Sequence, residues 1–469
     1  MDTPTYNRAT IVTLLLAGSF IAILNQTLMI TAIPPIMHEM NITANSAQWL
    51  TTVFMLVNGI MIPVSAFLLE RFTTRQLFIS AMSIFAFGTL VAGLAPNFEV
   101  LLVGRVIQSM GAGVMLPLMT TVFLMIFPVN KRGAAMGLIG LVISFAPAIG
   151  PALSGWVTAN YSWRLLFFII LPIAIIDIII AFFVLKNVTE VTKPRVDVVS
   201  IIFSSFGFGG LLYGFTSAGN YGWLDPITIV SLLVGVIAII LFVTRQFKLE
   251  HPMLEFRVFT YSIFPFAVMI GMVGFMTLIG VETLLPLYMQ NMREFTAFEA
   301  GLALLPGALV MGVMSPITGR IFDKIGAKWL VITGLTIMTL SSFAYINLTP
   351  STSFTYITVM YAVRMFGLSM VLMPVATAAL NQLPKRLIPH GAAMDNTMKM
   401  VAASVGTAIL VTVMTTSEMN AEQRPDVSFP DIYGANMAFI VVAVLSLGSL
   451  LLSFIIKYKP KANKEVERQ

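Results

Sequence analysis

Long apolar segments are the feature of this sequence that most limits how the chain can fold. Fourteen of them have about the 18–25 residues that an α-helix needs to cross the hydrocarbon core of a bilayer. They lie near 10–32, 47–69, 76–95, 99–121, 134–157, 165–185, 198–218, 227–244, 264–287, 299–318, 329–347, 354–379, 392–415 and 433–456. Backbone polar groups cannot remain unpaired in lipid, so these segments must be helical. The sequence therefore predicts an all-α integral membrane protein with fourteen transmembrane helices.

The charge content supports the same class of protein. Only 10% of the residues are charged, whereas soluble domains carry about a quarter. Lys and Arg are concentrated in alternate loops, as they are on the cytoplasmic side of membrane proteins. With both termini in the cytoplasm, the outer loops keep only Arg164, Arg293 and Arg424. The net charge of +6 is thus explained by topology, and no nucleic-acid partner is expected; the absence of cysteine excludes disulfides.

Two halves of the chain carry related segments. A lone arginine within an apolar run, Arg105 or Arg364, is followed by a proline and then by the tetrapeptide GAAM, at Gly133–Met136 and Gly391–Met394. Internal repeats of this kind are typical of membrane transporters. The register leaves two spans without a counterpart and predicts three parts: a six-helix bundle over 1–186, two inserted helices over 187–260, and a second six-helix bundle with its tail over 261–469.

Arg105 and Gln108 lie one helical turn apart within the fourth span, LLVGRVIQSMGAGVMLP. A guanidinium in hydrocarbon must face the protein interior, against an acid, an amide or water, and such residues mark ion or substrate pathways. Arg105 therefore marks a candidate ion or substrate pathway. A purely structural hydrogen-bonding role is the alternative.

Three acids also fall within predicted spans: Asp177, Glu282 and Asp395. Each is a candidate proton carrier, because a desolvated carboxylate holds a proton more readily. Asp395 and Lys399 are four residues apart, so a structural ion pair is equally compatible with the spacing. The sequence does not choose among the three acids.

These motifs resemble those of the major facilitator superfamily, and in particular its fourteen-span drug:proton antiporters of the lincomycin-resistance and quaternary-ammonium-efflux kind. The loop after the second span resembles the family motif G-x-x-x-D-R-x-G-R-K in degraded form, and the loop after the tenth span resembles it more closely. The matching positions are Ala66, Glu70, Arg71 and Arg75 in the first copy and Gly319, Asp323, Lys324, Gly326 and Lys328 in the second. An acid at a helix end that faces bases of the adjoining loop can lock the cytoplasmic side shut. Loop charges that only set the topology are the alternative, above all for the first copy.

Two further stretches carry the resemblance. Leu101–Gly113 is similar to the fourth-span motif R-x-x-Q-G-x-G, and this resemblance implies that Arg105 assists proton coupling by favouring the charged form of a neighbouring acid. Ala146–Gly155 is similar to the fifth-span antiporter signature, with Gly150, Pro151 and Gly155 at the matching positions. The first span departs from the pattern, because Asn25 stands where family members often have an aspartate. If coupling is retained, the acid that carries the proton lies elsewhere.

The resemblance implies a major facilitator fold and a proton-coupled exporter of amphipathic or cationic drugs in a bacterial plasma membrane. The proton gradient supplies the energy, so neither a cofactor nor a metal is expected, and the protein is expected to be a monomer in the bilayer. Asn25, Gln26, Asn58 and Gln108 are the candidates for polar groups of a central substrate cavity. Export of an endogenous metabolite, lipid precursor or signalling molecule is one alternative, and a membrane sensor or scaffold that does not transport is another.

Overall fold

The computed structural model describes residues 7–189, 191–192 and 196–455, and the ordered elements of these ranges are helices. In chain order the α-helices are α1 (Arg8–Met40), α2 (Ala44–Arg71), α3 (Thr74–Gly93), α4 (Phe98–Ile126), α5 (Arg132–Asn160), α6 (Arg164–Val184), α7 (Val198–Tyr221), α8 (Pro226–Lys248), α9 (Phe264–Leu287), α10 (Ala297–Ile325), α11 (Ala327–Phe343), α12 (Phe354–Ser369), α13 (Leu372–Leu380), α14 (Ile388–Glu422) and α15 (Pro430–Ile455).

The predicted all-α membrane fold is confirmed. With α12 and α13 taken together, 13 of the described helices are long and apolar enough to cross a membrane. The one predicted span that is not among these 13 is that near 329–347, which corresponds to α11. Its 17 residues lie at the short limit for crossing a bilayer. The predicted orientation rests in part on basic residues that lie outside the described residues, as do both termini. Among them are Lys193, Arg195 and the basic residues of the tail after Ile455.

Some helices extend beyond their apolar segments. The first continues to Met40 and is ended by Asn41, whose φ of 51° is left-handed, and α14 continues to Glu422. Hydropathy detects only the part of a helix that lies in hydrocarbon, whereas backbone hydrogen bonding continues into the aqueous layer. The twelfth span is interrupted at Met370 and Val371, which separate α12 from α13.

The two predicted bundles meet most closely along α5 and α10. A Cβ built at Gly137 would lie 2.7 Å from Cα of Pro316, and one at Gly140 would lie 2.7 Å from Oγ of Ser315. Small residues allow helix backbones to approach this closely. Farther along the same two helices, a Cβ at Gly155 or Gly301 would meet nothing within 4 Å. The closest described contacts of the two bundles therefore lie at one end, here called the motif-loop end because it carries Glu70–Arg75 and Asp323–Lys328. The opposite end, where Gly155 and Gly301 have no close neighbour, is here called the divergent end.

The inserted helices pack as a pair, with α7 on the inside. Helix α7 lies against α2, where a Cβ at Gly209 would be 3.0 Å from Cδ1 of Ile60, and against α14, where Trp223 Nε1 donates to Thr412 Oγ1 at 2.8 Å. Helix α8 packs on α7 and exposes much of its apolar surface. The pair thus contacts both bundles on the side away from α5 and α10, while the predicted boundaries at 186 and 260 stay a prediction.

Candidate transport site and gate

Arg105 is fully buried within the first bundle. Its Nη1 donates to Gln108 Oε1 at 2.8 Å, its Nε donates to the Leu50 carbonyl at 3.2 Å, and its guanidinium lies 4.2 Å from the centre of the Phe54 ring. Gln108 in turn donates to Thr89 Oγ1 at 2.8 Å. In the described structure the partners of Arg105 are thus an amide, a carbonyl and an aromatic face, and its Nη2 has no hydrogen-bond partner. Gln108 is committed to this network and is fully buried.

Arg364 occupies the corresponding place in the second half. It is fully buried, donates from Nη1 to Ser342 Oγ, and donates from Nη2 to the Thr277 carbonyl at 3.2 Å. Both arginines therefore join neighbouring helices of their own bundle through neutral acceptors. This is the structural role that the sequence left open as an alternative to proton coupling.

The three acids lie in three different environments. Asp177 is 4% exposed on α6, which packs mainly on α1 and α3. A Cβ at Gly18 would lie 3.0 Å from its Oδ2, and that oxygen accepts no hydrogen bond from the described residues. This acid is thus inside the first bundle and away from the second.

Glu282 and Asp395 lie in the second bundle. Glu282 on α9 is half-buried, and its Oε1 accepts a hydrogen bond of 3.2 Å from the hydroxyl of Tyr361 on α12. Asp395 on α14 is 4% exposed and pairs with Lys399 Nζ at 2.6 Å, beside Gly271 of α9. Of the three, Glu282 alone is only partly buried and has a neutral hydroxyl as its described hydrogen-bond donor.

The predicted cavity residues are spread over the first bundle. Asn25 is 2% exposed and its Nδ2 lacks a described partner, whereas Gln26 and Asn58 are half-exposed. Asn58 packs on α4, where its Oδ1 would lie 3.1 Å from a Cβ at Gly113. Gln26 and Asn58 are therefore partly exposed, whereas Asn25 and Gln108 are buried. Within the described ranges, no three His, Asp or Glu side chains come close enough to hold a metal ion.

Asp323 joins the bundles at the motif-loop end. Its Oδ1 accepts from the Gly133 N–H at 2.7 Å and its Oδ2 from the Ala134 N–H at 2.9 Å, at the first turn of α5. The first amides of a helix are unpaired and carry partial positive charge, so a carboxylate is stabilised there. The sequence led us to expect loop bases as its partners, and the described partners are backbone amides instead. Arg132 adds a second link between the bundles, from Nη1 to Asn381 Oδ1 at 2.9 Å.

The remaining loop-motif residues surround this contact. Lys324 and Lys328 are exposed, Lys328 lies 5.5 Å from the Trp329 ring, and Gly326 has a φ of +79° that favours glycine. In the first copy, Arg71 lies 5.9 Å from the Phe67 ring, and Arg75 donates to the Phe182 carbonyl. These contacts tie each loop to its own bundle.

Glu70 makes the corresponding link between the bundles through a residue that the sequence analysis did not select. Its Oε1 lies 2.8 Å from Nε2 of His390, at the start of α14. His390 directly precedes the second GAAM tetrapeptide, as Arg132 precedes the first. That repeat position was the signal that could have identified it.

The antiporter-signature residues of α5 contact α1 over part of their length. A Cβ at Gly150 would lie 2.8 Å from Cβ of Thr27, and Thr31 donates to the Pro151 carbonyl at 3.4 Å. Gly155 has no such neighbour and faces the divergent end. Gly150 therefore allows α5 and α1 to cross closely in this conformation, whereas no helix crosses closely at Gly155.

We expect Asp177→Asn to leave transport within about twofold of the parent, because this carboxyl group is 4% exposed and exchanges protons with water less readily than the partly exposed Glu282. Thermal unfolding should be unchanged or raised, since the amide avoids burial of a charge. Transport in vesicles and a melting curve would check this. A complete loss of proton-driven transport in Asp177→Asn would instead indicate that Asp177 carries the proton.

Comparisons with known proteins agree with this architecture. A family model described as Major Facilitator Superfamily matches residues 15–407. YcnB, an uncharacterized MFS-type transporter of Bacillus subtilis (strain 168), is 57% identical over 98% of this chain and 97% of its own length. The lincomycin resistance protein LmrB of the same organism is 43% identical, with 95% of each chain covered. The crystal structure of the human organic anion transporter MFSD10 superposes with a TM-score of 0.69 at 14% identity, over 96% of this chain and 100% of that chain.

Proposed function

Because the chain belongs to the major facilitator superfamily, we propose that it exports amphipathic or cationic small molecules across the bacterial plasma membrane in exchange for protons. Membership in this family makes it a transporter and not an enzyme. The lincomycin resistance named in LmrB supports a drug substrate. We place both termini and the motif-loop end in the cytoplasm, and expect a monomer that needs no cofactor.

The observation that carries this proposal is the environment of Glu282. Its carboxylate is half-buried at the divergent end, contacts the neutral hydroxyl of Tyr361, and has no ion-pair partner among the described residues. A carboxylate in such a place can hold either a proton or a cationic solute, but not both. Competition for this one group would couple proton entry to drug release.

Alternating access would then follow from the arrangement of the bundles. In the present conformation they are joined at the motif-loop end by Asp323, Arg132 and Glu70, and Glu282 lies toward the opposite end of its helix α9. With the motif-loop end in the cytoplasm, this is an outward-facing state. Breaking the three links would expose the same site to the other side, as in other transporters built from repeats.

Proton-driven drug flux in proteoliposomes tests the proposal. An imposed pH gradient should drive accumulation of ethidium, and ethidium should release protons from the purified protein. Collapse of the gradient by an ionophore is the matched control and should stop accumulation. Flux that persists without the gradient would contradict antiport, and a protein that moves no cationic dye would favour export of an endogenous metabolite.

A further inference from the structure

The links between the bundles at the motif-loop end, made by Asp323, Arg132 and Glu70, are here called the gate. A series of polar contacts connects the inserted helices to it. At the base of the pair, Asp197 precedes α7 and Arg245 lies in the last turn of α8. Arg245 holds Asp197 with two hydrogen bonds, from Nε at 2.8 Å and from Nη2 at 2.9 Å. Two parallel bonds between a guanidinium and a carboxylate fix the relative position of the groups that carry them. The base of the pair is thus a defined unit.

The second step leads from this base into the segment before α9. Ser200 donates to Asp197 Oδ2 at 2.6 Å, and Gln246 Nε2 donates to Ser200 Oγ at 2.6 Å. Gln246 also accepts from the Leu254 N–H, at 3.3 Å. Gln246 is 2% exposed and Leu254 is fully buried, so this connection is shielded from water.

The third step passes through His390. The Glu255 N–H donates to His390 Nδ1 at 3.3 Å, and His390 Nε2 lies 2.8 Å from Glu70 Oε1. Because Nδ1 accepts a hydrogen bond, the proton of the neutral ring is on Nε2 and is donated to Glu70. The imidazole side chain is only 5% exposed. One ring therefore contacts the inserted pair's segment on one side and the first bundle on the other.

Arg132, the repeat counterpart of His390, makes no comparable connection. Its described partners are the Phe127 carbonyl and Asn381, in the loop before its own helix and in the second bundle. The gate thus has two links of similar position, and only the His390 link reaches α7 and α8.

From these contacts we propose that His390 is a positioning residue through which the inserted helix pair stabilises the closed state of the gate. The inference rests on the proposed transport function for its physiological meaning, but not for its measurement. Helices α7 and α8 are then a part of the alternating-access machinery. A loosening at Asp197 is transmitted through Gln246 and Glu255 to the Glu70 link.

The Asp197–Arg245 pair is suited to a lasting connection. The hydrogen bond from Arg245, followed by that from Ser200, lowers the pKa of Asp197 to about 2 against the opposing effect of partial burial. A lowered folded-state pKa gives stabilisation that is complete above the ordinary carboxyl range and is lost only as the pH falls toward 2. Asp197 therefore stays ionised, and able to pair with Arg245, at neutral pH.

A cysteine reporter tests the proposal without any substrate. The natural chain has no cysteine, so Ser315→Cys introduces a single thiol. Ser315 is 1% exposed and faces Gly140 across the bundle contact, so a maleimide reagent reaches it only when the gate opens. Membrane-impermeant maleimide, applied to inverted and to right-side-out vesicles, measures opening and reports the side on which it occurs.

Two substitutions then separate coupling from simple damage. Asp197→Asn keeps the shape of the side chain but loses its charge, and His390→Gln keeps a donor near the Nε2 position but has no acceptor at the Nδ1 position. We expect each to raise the labelling rate about fivefold, and the double variant to match either single variant, because residues in one network are not additive. Arg132→Gln is the control at the other link. In the double variant Asp197→Asn with Arg132→Gln, the increases in labelling rate caused by the two single substitutions should multiply.

Multiplied effects of Asp197→Asn and His390→Gln would overturn the proposal, as would labelling unchanged by both. The maximal transport rate should fall in His390→Gln with little change in the KM for drug, since the ring is remote from Glu282. If the variant instead loses transport together with thermal stability, the loss would indicate only a folding defect and would also refute the positioning role of His390. If the labelling result holds while no proton-driven flux is found, the proposed function fails and the gate connection stands.

Discussion

Glu282→Gln is expected to abolish proton-driven export in a protein that still folds. Glutamine keeps an oxygen that can accept the Tyr361 hydroxyl, but it cannot alternate between a charged and a protonated form. We expect drug-induced proton release to fall about a hundredfold, at the upper end of typical coupling between two ligands. Proton release from the purified protein and dye accumulation in proteoliposomes would both report it.

Tyr361→Phe is the matched control for this experiment. It removes the described hydrogen-bond partner of Glu282 and leaves the carboxylate in place. Coupling should persist, with at most about a tenfold change for one lost hydrogen bond. Parent-like proton release by Glu282→Gln would refute the assignment and would direct attention to Asp395. That residue is harder to interpret, because its loss leaves the buried Lys399 without its described partner.

Gly319→Ala is expected to hold the motif-loop end open. A Cβ at Gly319 would overlap the Gly133 carbonyl and lie 2.7 Å from the Gly133 carbonyl carbon and 3.1 Å from Ala134 Cα. These are backbone atoms of α5, which cannot turn aside as a flexible side chain can. Overpacking costs about 1–3 kcal/mol, roughly a five- to hundredfold shift toward the open gate. Labelling of Ser315→Cys should rise by this factor and transport should fall.

Gly301→Ala on the same helix is the control. A Cβ at Gly301 would meet nothing within 4 Å, so the same added methyl group should change neither labelling nor transport. Thermal melting of both variants separates an altered gate from a damaged fold. If Gly319→Ala labels at the parental rate, the described contact between α5 and α10 is not part of the transport cycle.

The sequence alone was enough to predict the helical membrane fold, because long apolar segments admit little else. It also placed Arg105 and Gln108 within reach of each other, and they form a hydrogen bond of 2.8 Å. Helix periodicity is sufficient for such a prediction, since residues three apart share a face.

Contacts between distant helices were beyond the sequence. The partners of Asp323 are backbone amides of α5, which have no side-chain signal, and Glu282 meets Tyr361 on another helix. Which acid faces the space between the bundles depends on how each helix is rotated, and the sequence does not give that rotation. His390 lies at the end of a predicted span, a position that argues against a proton relay through histidine, although its place before GAAM set it beside Arg132 in the repeat.

The position of α7 makes the two flanks of the molecule unequal. On one flank this helix fills the groove between α2 and α14, from Ile60 and Gly209 outward to Trp223 and Thr412. On the other flank α5 and α10 separate toward Gly155 and Gly301, and no described helix lies across the gap. If the proposed export holds, an apolar solute dissolved in the bilayer would reach the space between the bundles from the α5 and α10 flank, because α7 covers the opposite flank.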